Sequence, residues 1–190
     1  MRKAIHSFIL VLAFAAQGVL AQNYTPEMLM SRFASWGVDP EKTAANINLA
    51  DTWKKFKKNQ EIVVAVIDTG IQIDHPFLKD NIHVLKGQAG KNNFGIDYST
   101  GKETQTPFDQ HGHGTHVAGI VKSVFPEVKI LALKYYNPAA SGQANLAATI
   151  KALRYAVENN VDIINYSGGG PESSPEELKI LKEAERKGIL

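Results

Sequence analysis

An aspartate and a histidine stand where the types and order of the neighbouring residues suit catalysis. Asp68 ends an apolar, β-branched run that leads into a glycine two positions later, and His113 opens a small-residue stretch with a helical pattern. A carboxylate that accepts a hydrogen bond from an imidazole fixes the ring's tautomer and stabilises the imidazolium formed when the ring takes a proton. Either residue alone would more often close a loop or cap a helix. Together they predict the orienting acid and the general base of a nucleophilic triad.

Strand and helix patterns alternate around these two residues. The apolar run at 62–67 predicts a strand buried on both faces, as in a parallel sheet. The other predicted elements are strands at 128–133 and 161–165, short strands at 82–85 and 94–98, and helices at 114–124, 143–159 and 174–188. On the last helix, Leu178, Leu181 and Ala184 are predicted to face the core. This order predicts an α/β fold with a doubly wound, mainly parallel sheet, and Asp68 at the carboxyl edge where such sheets place their sites.

Composition limits the partners that the chain could have. The chain has 190 residues, of which 44% are hydrophobic, enough for one domain with a core. Of its 21 basic side chains, Arg2 and Lys3 precede the rest, so the remaining 19 balance the 19 acidic ones. This balance argues against nucleic acid or an anionic membrane surface as a partner. The chain contains no cysteine, so no disulfide can stabilise it.

The first 21 residues have the pattern of a secretory signal peptide. Arg2 and Lys3 form a positive head, the apolar run at 8–16 is too short to span a bilayer, and Val19 and Ala21 are the small residues that a signal peptidase reads. An alternative is an N-terminal core helix. The pattern favours export, with cleavage after Ala21 and a mature chain that keeps no membrane attachment.

The sequences VAVIDTG at 64–70 and HGTHVAG at 113–119 resemble the triad motifs of the subtilisin-like serine proteases, the subtilase family. The resemblance implies that Asp68 and His113 are the triad acid and base of an endopeptidase that works through an acyl-enzyme. It assigns residues 22–190 to the N-terminal part of a subtilisin-like catalytic domain, left incomplete at its carboxyl end. The family's serine nucleophile and oxyanion asparagine would follow Leu190, so these 190 residues alone are expected to be inactive. If the gene ends at Leu190, the alternative is an inactive secreted remnant or peptide-binding protein.

The resemblance also implies which residues contact a peptide or protein substrate. Ser141 and Gly142 match a substrate-lining loop, and Ser167, Gly168 and Gly169 match the strand end that pairs with the substrate backbone. Gly168 replaces a larger residue that is common in the family at this position. A wider pocket is therefore expected there.

Two sets of residues bear on whether the chain binds a metal ion. No cofactor is expected. Calcium in the intact protein remains an alternative, but its usual site is interrupted by Phe77, which stands where many family members carry an acid that helps to bind the ion. A competing interpretation is a zinc hydrolase, since His111, His113 and His116 lie within six residues and His-x-His pairs occur in zinc sites. Thr115 stands where that zinc motif requires its aspartate. The zinc interpretation also leaves the strand that ends at Asp68 unexplained.

Overall fold

The computed structural model describes residues 37–38, 46–56, 60–85, 94–170 and 174–190. Four parallel strands form one sheet in the order β2-β3-β1-β4, with β1 at Val63–Asp68, β2 at Gly95–Asp97, β3 at Lys129–Lys134 and β4 at Ile163–Tyr166. The helices are α1 at Ala50–Lys55, α2 at His113–Val124, α3 at Gly142–Glu158 and α4 at Pro175–Arg186, and a short 3₁₀ helix covers Lys79–Asn81. The predicted signal peptide lies outside the described residues. Within those residues, no helix has the length and apolar character needed to cross a bilayer.

The β1 strand separates two hydrophobic layers. Val64 and Val66 pack on one face of the sheet with Ala118 of α2, whereas Ala65 and Ile67 pack on the other face with residues of α3 and α4. Successive side chains of a strand point to opposite faces, so a continuous apolar run is what a strand covered on both sides requires. Each fully buried valine or isoleucine contributes about 1.5–3 kcal/mol. The predicted doubly wound parallel sheet is confirmed, and the bounds of the elements that form are shifted by one or two residues. The short strand predicted at 82–85 is not formed: Ile82 makes only an isolated bridge to Ile130.

The α4 helix begins as predicted but buries a different face. Ser174 caps it by accepting a hydrogen bond from the Glu177 backbone N–H at 3.2 Å. Ile180 and Ala184, one turn apart, are buried against α3, whereas Leu178 and Leu181 are 53% and 45% exposed. The predicted inner face was therefore wrong for both leucines. Contact with α3 thus decides which face of α4 is buried, and that face carries Ile180 and Ala184.

The last two residues align with the outer edge of β4. The backbone N–H of Leu190 donates to the carbonyl of Asp162 at 3.1 Å, and the N–H of Ile164 donates to the carbonyl of Leu190 at 2.7 Å. Ile189 is 8% exposed. Two bonds from one residue to partners two positions apart are the pattern of a parallel ladder. The segment thus bonds to the edge strand β4 with the parallel pattern.

Candidate active site

Asp68 and His113 are in direct contact at the carboxyl edge of the sheet. Asp68, the last residue of β1, is 3% exposed, and its Oδ1 lies 2.7 Å from Nδ1 of His113. The His113 side chain is 48% exposed, so its other ring nitrogen can reach a reactant. The same Oδ1 accepts the Thr69 backbone N–H at 2.7 Å. The predicted acid and base are therefore brought together in the geometry that a carboxylate–imidazole pair needs.

The second oxygen of the Asp68 carboxylate is buried without a hydrogen-bond partner among the described residues. A carboxylate that is shielded from water and only half satisfied is attracted strongly to a neighbouring positive charge, because the local dielectric is low. This favours the imidazolium form of His113 that develops when the ring takes a proton. The burial of Asp68 thus supports the role of His113 as a base.

The helix α2 begins at His113. Side chains from outside the helix accept hydrogen bonds from the backbone N–H groups of its first turn. The cap position is Gly112, which has no side chain to offer and a φ of 93°. Instead, the Thr69 hydroxyl accepts the Gly114 N–H at 2.9 Å, and a carboxylate oxygen of Asp109 accepts the Thr115 N–H at 2.9 Å. Unpaired N–H groups at a helix start are costly when buried. These contacts therefore hold the turn that presents the His113 ring.

Asp109 connects three segments of the site. Its Oδ1 accepts from the Thr69 hydroxyl at 2.9 Å and from the backbone N–H groups of His111 and Gly112 at 2.9 and 2.8 Å. Its Oδ2 accepts from both the N–H and the hydroxyl of Thr115. Burial by itself raises the pKa of the Asp109 carboxyl, but the hydrogen bonds from Thr115, Gly112 and Thr69 outweigh it and leave the pKa below its ordinary value. No sequence motif marks Asp109 for this role.

Asp109→Asn in the full-length protein is expected to lower the free energy of unfolding at neutral pH by about 2 kcal/mol, because the new amide group would face N–H donors. Since the folded carboxyl has a lowered pKa, its stabilisation is complete above the ordinary value and is lost as the pH falls through the lowered pKa. The difference between the two proteins should therefore shrink in strong acid. Urea unfolding at several pH values measures it, with the exposed Asp74→Asn as control. A difference that stays constant across pH would contradict this role.

At Gly114, the helix α2 packs closely against the end of β1 and the turn that follows it. A Cβ at this position would lie 2.2 Å from the carbonyl oxygen of Gly70 and 3.0 Å from Cβ of Asp68. Gly70 itself has a φ of 107°, and its neighbour Ile71 donates to the carbonyl of Pro107 at 2.9 Å. The distance between Asp68 and His113 thus depends on a residue without a side chain at Gly114.

The residues that resemblance assigns to substrate binding lie at the same sheet edge. Ser141 caps α3, and Gly142 begins that helix. Ser167, Gly168 and Gly169 follow β4 and are exposed. Gly142 and Gly169 line one pocket of about 650 Å³.

The space beside Gly168 is filled rather than open. A Cβ at Gly168 would lie 2.2 Å from the Tyr135 hydroxyl and 2.7 Å from the Tyr166 ring. The expected widening of the pocket at this glycine is therefore wrong, because Tyr135 occupies the volume of the absent side chain. Burial, together with nearby Tyr166 and Asp68, raises the pKa of Tyr135 to about 12, so the phenol stays protonated at neutral pH.

In the described part of the chain, no serine hydroxyl forms a hydrogen bond with His113. The only hydrogen bond of the His113 ring there is to Asp68. Two serines donate, to the Asp97 carboxylate and to the Gly119 carbonyl, and three accept from Ala144, Asn165 or Glu177. In chain order these are Ser99, Ser123, Ser141, Ser167 and Ser174. None of these five hydroxyls is placed as a nucleophile.

The described residues contain no group of three or more potential ligand side chains that could hold a metal ion. The rings of His111 and His113 meet edge to face, 6.3 Å apart. The geometry therefore gives the three-histidine zinc interpretation no support. At Phe77, the Lys122 ammonium donates to the backbone carbonyl and lies 4.4 Å from the ring centre. Calcium needs converging oxygen ligands, and a carbonyl that already binds an ammonium does not fit that requirement.

The sequence of the chain is similar to those of known serine proteases. The model of the Subtilase family matches residues 59–190. The major intracellular serine protease of Bacillus subtilis (strain 168) is 37% identical over 153 residues, which cover 76% of this chain and 45% of that protein. The minor extracellular protease Vpr of the same organism is 35% identical over 146 residues, which cover 72% of this chain and 17% of that protein. A solved lanthipeptide protease aligns at 30% identity with a TM-score of 0.47, over 66% of this chain and 34% of that one.

A parallel sheet with a carboxylate–imidazole pair at its carboxyl edge is an arrangement that nucleophilic-triad hydrolases use. Because the family model covers more than half of its residues, the chain belongs to the subtilase family of serine proteases. The resemblance drawn from the two motifs is thereby confirmed. The chain spans less than half the length of both curated relatives.

Proposed function

We propose that the intact protein is a secreted serine endopeptidase that hydrolyses peptide bonds through an acyl-enzyme. The observation that carries this proposal is the 2.7 Å contact between the buried Asp68 carboxylate and Nδ1 of the half-exposed His113 ring. The serine nucleophile and the oxyanion asparagine come from sequence outside residues 1–190. Two facts support that division: the described serine hydroxyls are bonded elsewhere, and the chain covers only 45% of the intracellular relative.

Each proton in this mechanism passes through one ring nitrogen. His113 Nε2 takes the proton of the serine hydroxyl as its oxygen attacks the substrate carbonyl, and the ring becomes an imidazolium held by Asp68. The same nitrogen then protonates the leaving amine as the peptide bond breaks. Water repeats the cycle on the acyl-enzyme and releases the serine. Ser141, Gly142, Ser167, Gly168 and Gly169 bind the extended substrate beside the pair.

The test is hydrolysis of casein by the full-length gene product, with labelling by a fluorophosphonate that reacts with activated serines. We expect both, and we expect neither from residues 1–190 alone. Chelation of calcium should leave the activity unchanged, because Lys122 rather than an ion occupies the Phe77 carbonyl. A full-length protein that neither cleaves casein nor takes the label would overturn the proposal.

Export rests on the signal pattern at the N-terminus. The positive head, the short apolar run and the small residues before Gln22 favour cleavage after Ala21. N-terminal sequencing of protein secreted by the native host should begin at Gln22. A cytosolic protein that retains Met1 would contradict it.

A further inference from the structure

The pocket of about 650 Å³ lies between the start of α3 and the segment after β4. Its walls include three tyrosine rings, one acid and exposed glycine backbone. These residues are Tyr135, Tyr136, Tyr166, Glu177, Gly142 and Gly169. No lysine, arginine or histidine is among the described residues that line it. Among the described residues, the lining of the pocket is therefore aromatic and carries a single negative group.

A row of aromatic rings connects this pocket to the active site. The His113 ring lies 6.3 Å from that of His111, which lies 6.2 Å from that of Tyr136. Tyr136 is 6.0 Å from Tyr135, and Tyr135 is 5.5 Å from Tyr166. Two ring-to-ring steps therefore separate His113 from the pocket wall. An extended peptide covers that distance in roughly three or four residues, at about 3.3 Å per residue.

The side chain of Glu177 makes no capping hydrogen bond to its own helix among the described contacts. The sequence Ser174-Pro175-Glu176-Glu177 is typical of a capping box, in which the glutamate side chain would return to the cap residue. Only half of that box forms: Ser174 accepts the Glu177 N–H, and the Glu177 carboxylate has no hydrogen-bond or ion-pair partner among the described residues. Burial raises the pKa of the Glu177 carboxyl. The neighbouring Glu176 is 55% exposed and pairs with Arg154 at 3.2 Å.

We propose that this pocket binds a basic side chain, arginine or lysine, of the peptide substrate a few residues from the scissile bond. The inference rests on the proposed peptidase function and adds a substrate preference to it. A guanidinium or ammonium group would supply the partner that the Glu177 carboxylate lacks, and the three tyrosine rings would stabilise the cation through their faces. An apolar side chain in the same place would bury the carboxylate without a partner, which is unfavourable.

The test measures binding of labelled peptides to the full-length protein in a His113→Ala background, where hydrolysis is expected to be about 10⁴-fold slower. Each peptide carries one arginine, its neutral isostere citrulline, or norleucine, placed at successive positions on either side of the central bond. We expect the arginine peptide to bind roughly tenfold more tightly than the citrulline peptide at one position, as a charge-assisted and cation–π contact should give. Glu177→Gln should abolish that preference, and Glu176→Gln should retain it.

The outcomes separate this inference from the peptidase function. Equal binding of arginine and citrulline at every position, absence of binding by any peptide, or an arginine preference that survives Glu177→Gln would each overturn the pocket assignment. If Glu177→Gln does not fold, the comparison of the three peptides on the unaltered pocket still decides. Casein hydrolysis without an arginine preference overturns only this inference. An arginine preference without hydrolysis overturns only the peptidase.

Discussion

His113→Ala is expected to lower kcat of the full-length enzyme by about 10⁴-fold or more with little change in KM, as removal of a triad base does in this class. In the proposed mechanism the imidazole carries the protons at the reacting groups, and Asp68 is its only hydrogen-bond partner in the described part of the chain. Hydrolysis of a peptide ester and of casein measures the effect. Near-normal turnover would remove His113 from the mechanism.

Two further variants sharpen that experiment. His116→Ala alters an exposed histidine of the same helix and should retain full activity. Asp68→Asn should lower kcat by a factor on the order of 10⁴, because the amide favours the wrong imidazole tautomer. The double variant should lose little more than His113→Ala alone, since groups that act as a unit are not additive. Additive losses would mean that Asp68 and His113 act separately.

Gly114→Ala is expected to lower the free energy of unfolding by about 2–4 kcal/mol and to reduce activity at the same time. The new Cβ would lie 2.2 Å from the Gly70 carbonyl, a backbone atom of the turn after β1 that cannot rotate away. Relief of this clash requires α2 to move off the sheet, and the His113 ring moves with it away from Asp68. Thermal unfolding and peptide-ester hydrolysis measure the two effects.

Gly119→Ala is the matched control on the same helix. Nothing lies within 4 Å of a Cβ at Gly119, so only the intrinsic helix preference changes. Alanine in a helix interior is more stable than glycine by about 0.5–1 kcal/mol. We therefore expect Gly119→Ala to raise the unfolding temperature where Gly114→Ala lowers it. Equal effects of the two substitutions would contradict the close approach at Gly114.

The sheet and the catalytic pair could be predicted from sequence because their signals are local. Asp68 ends a β-branched run, and His113 begins a small-residue helix. Each pattern therefore lies within a few residues of the side chain that it positions. The role of Asp109 could not be predicted in this way. Its five donors come from Thr69, from the next turn and from Thr115, and no periodic pattern marks a loop acid that gathers such contacts.

The two errors of packing have a similar cause. Periodicity places Leu178 and Leu181 near one side of α4. Contact with α3 decides which side is buried, however, and the buried side is the one that carries Ile180. The missing side chain at Gly168 suggests empty space, but Tyr135 arrives from the end of another strand and fills it. Both outcomes depend on neighbours that lie far away along the chain.

The parallel register of β1 also has a kinetic consequence. Val63 pairs with Lys129 and Val64 with Ile163, so β1 waits for partners that leave the ribosome much later. Long-range pairing of this kind is slow compared with helix formation, because a large loop must close before any contact forms. The carboxylate and the imidazole meet only when that closure is complete. Formation of the contact between Asp68 and His113 should therefore follow the synthesis of β3 and β4, which come after both residues in the chain.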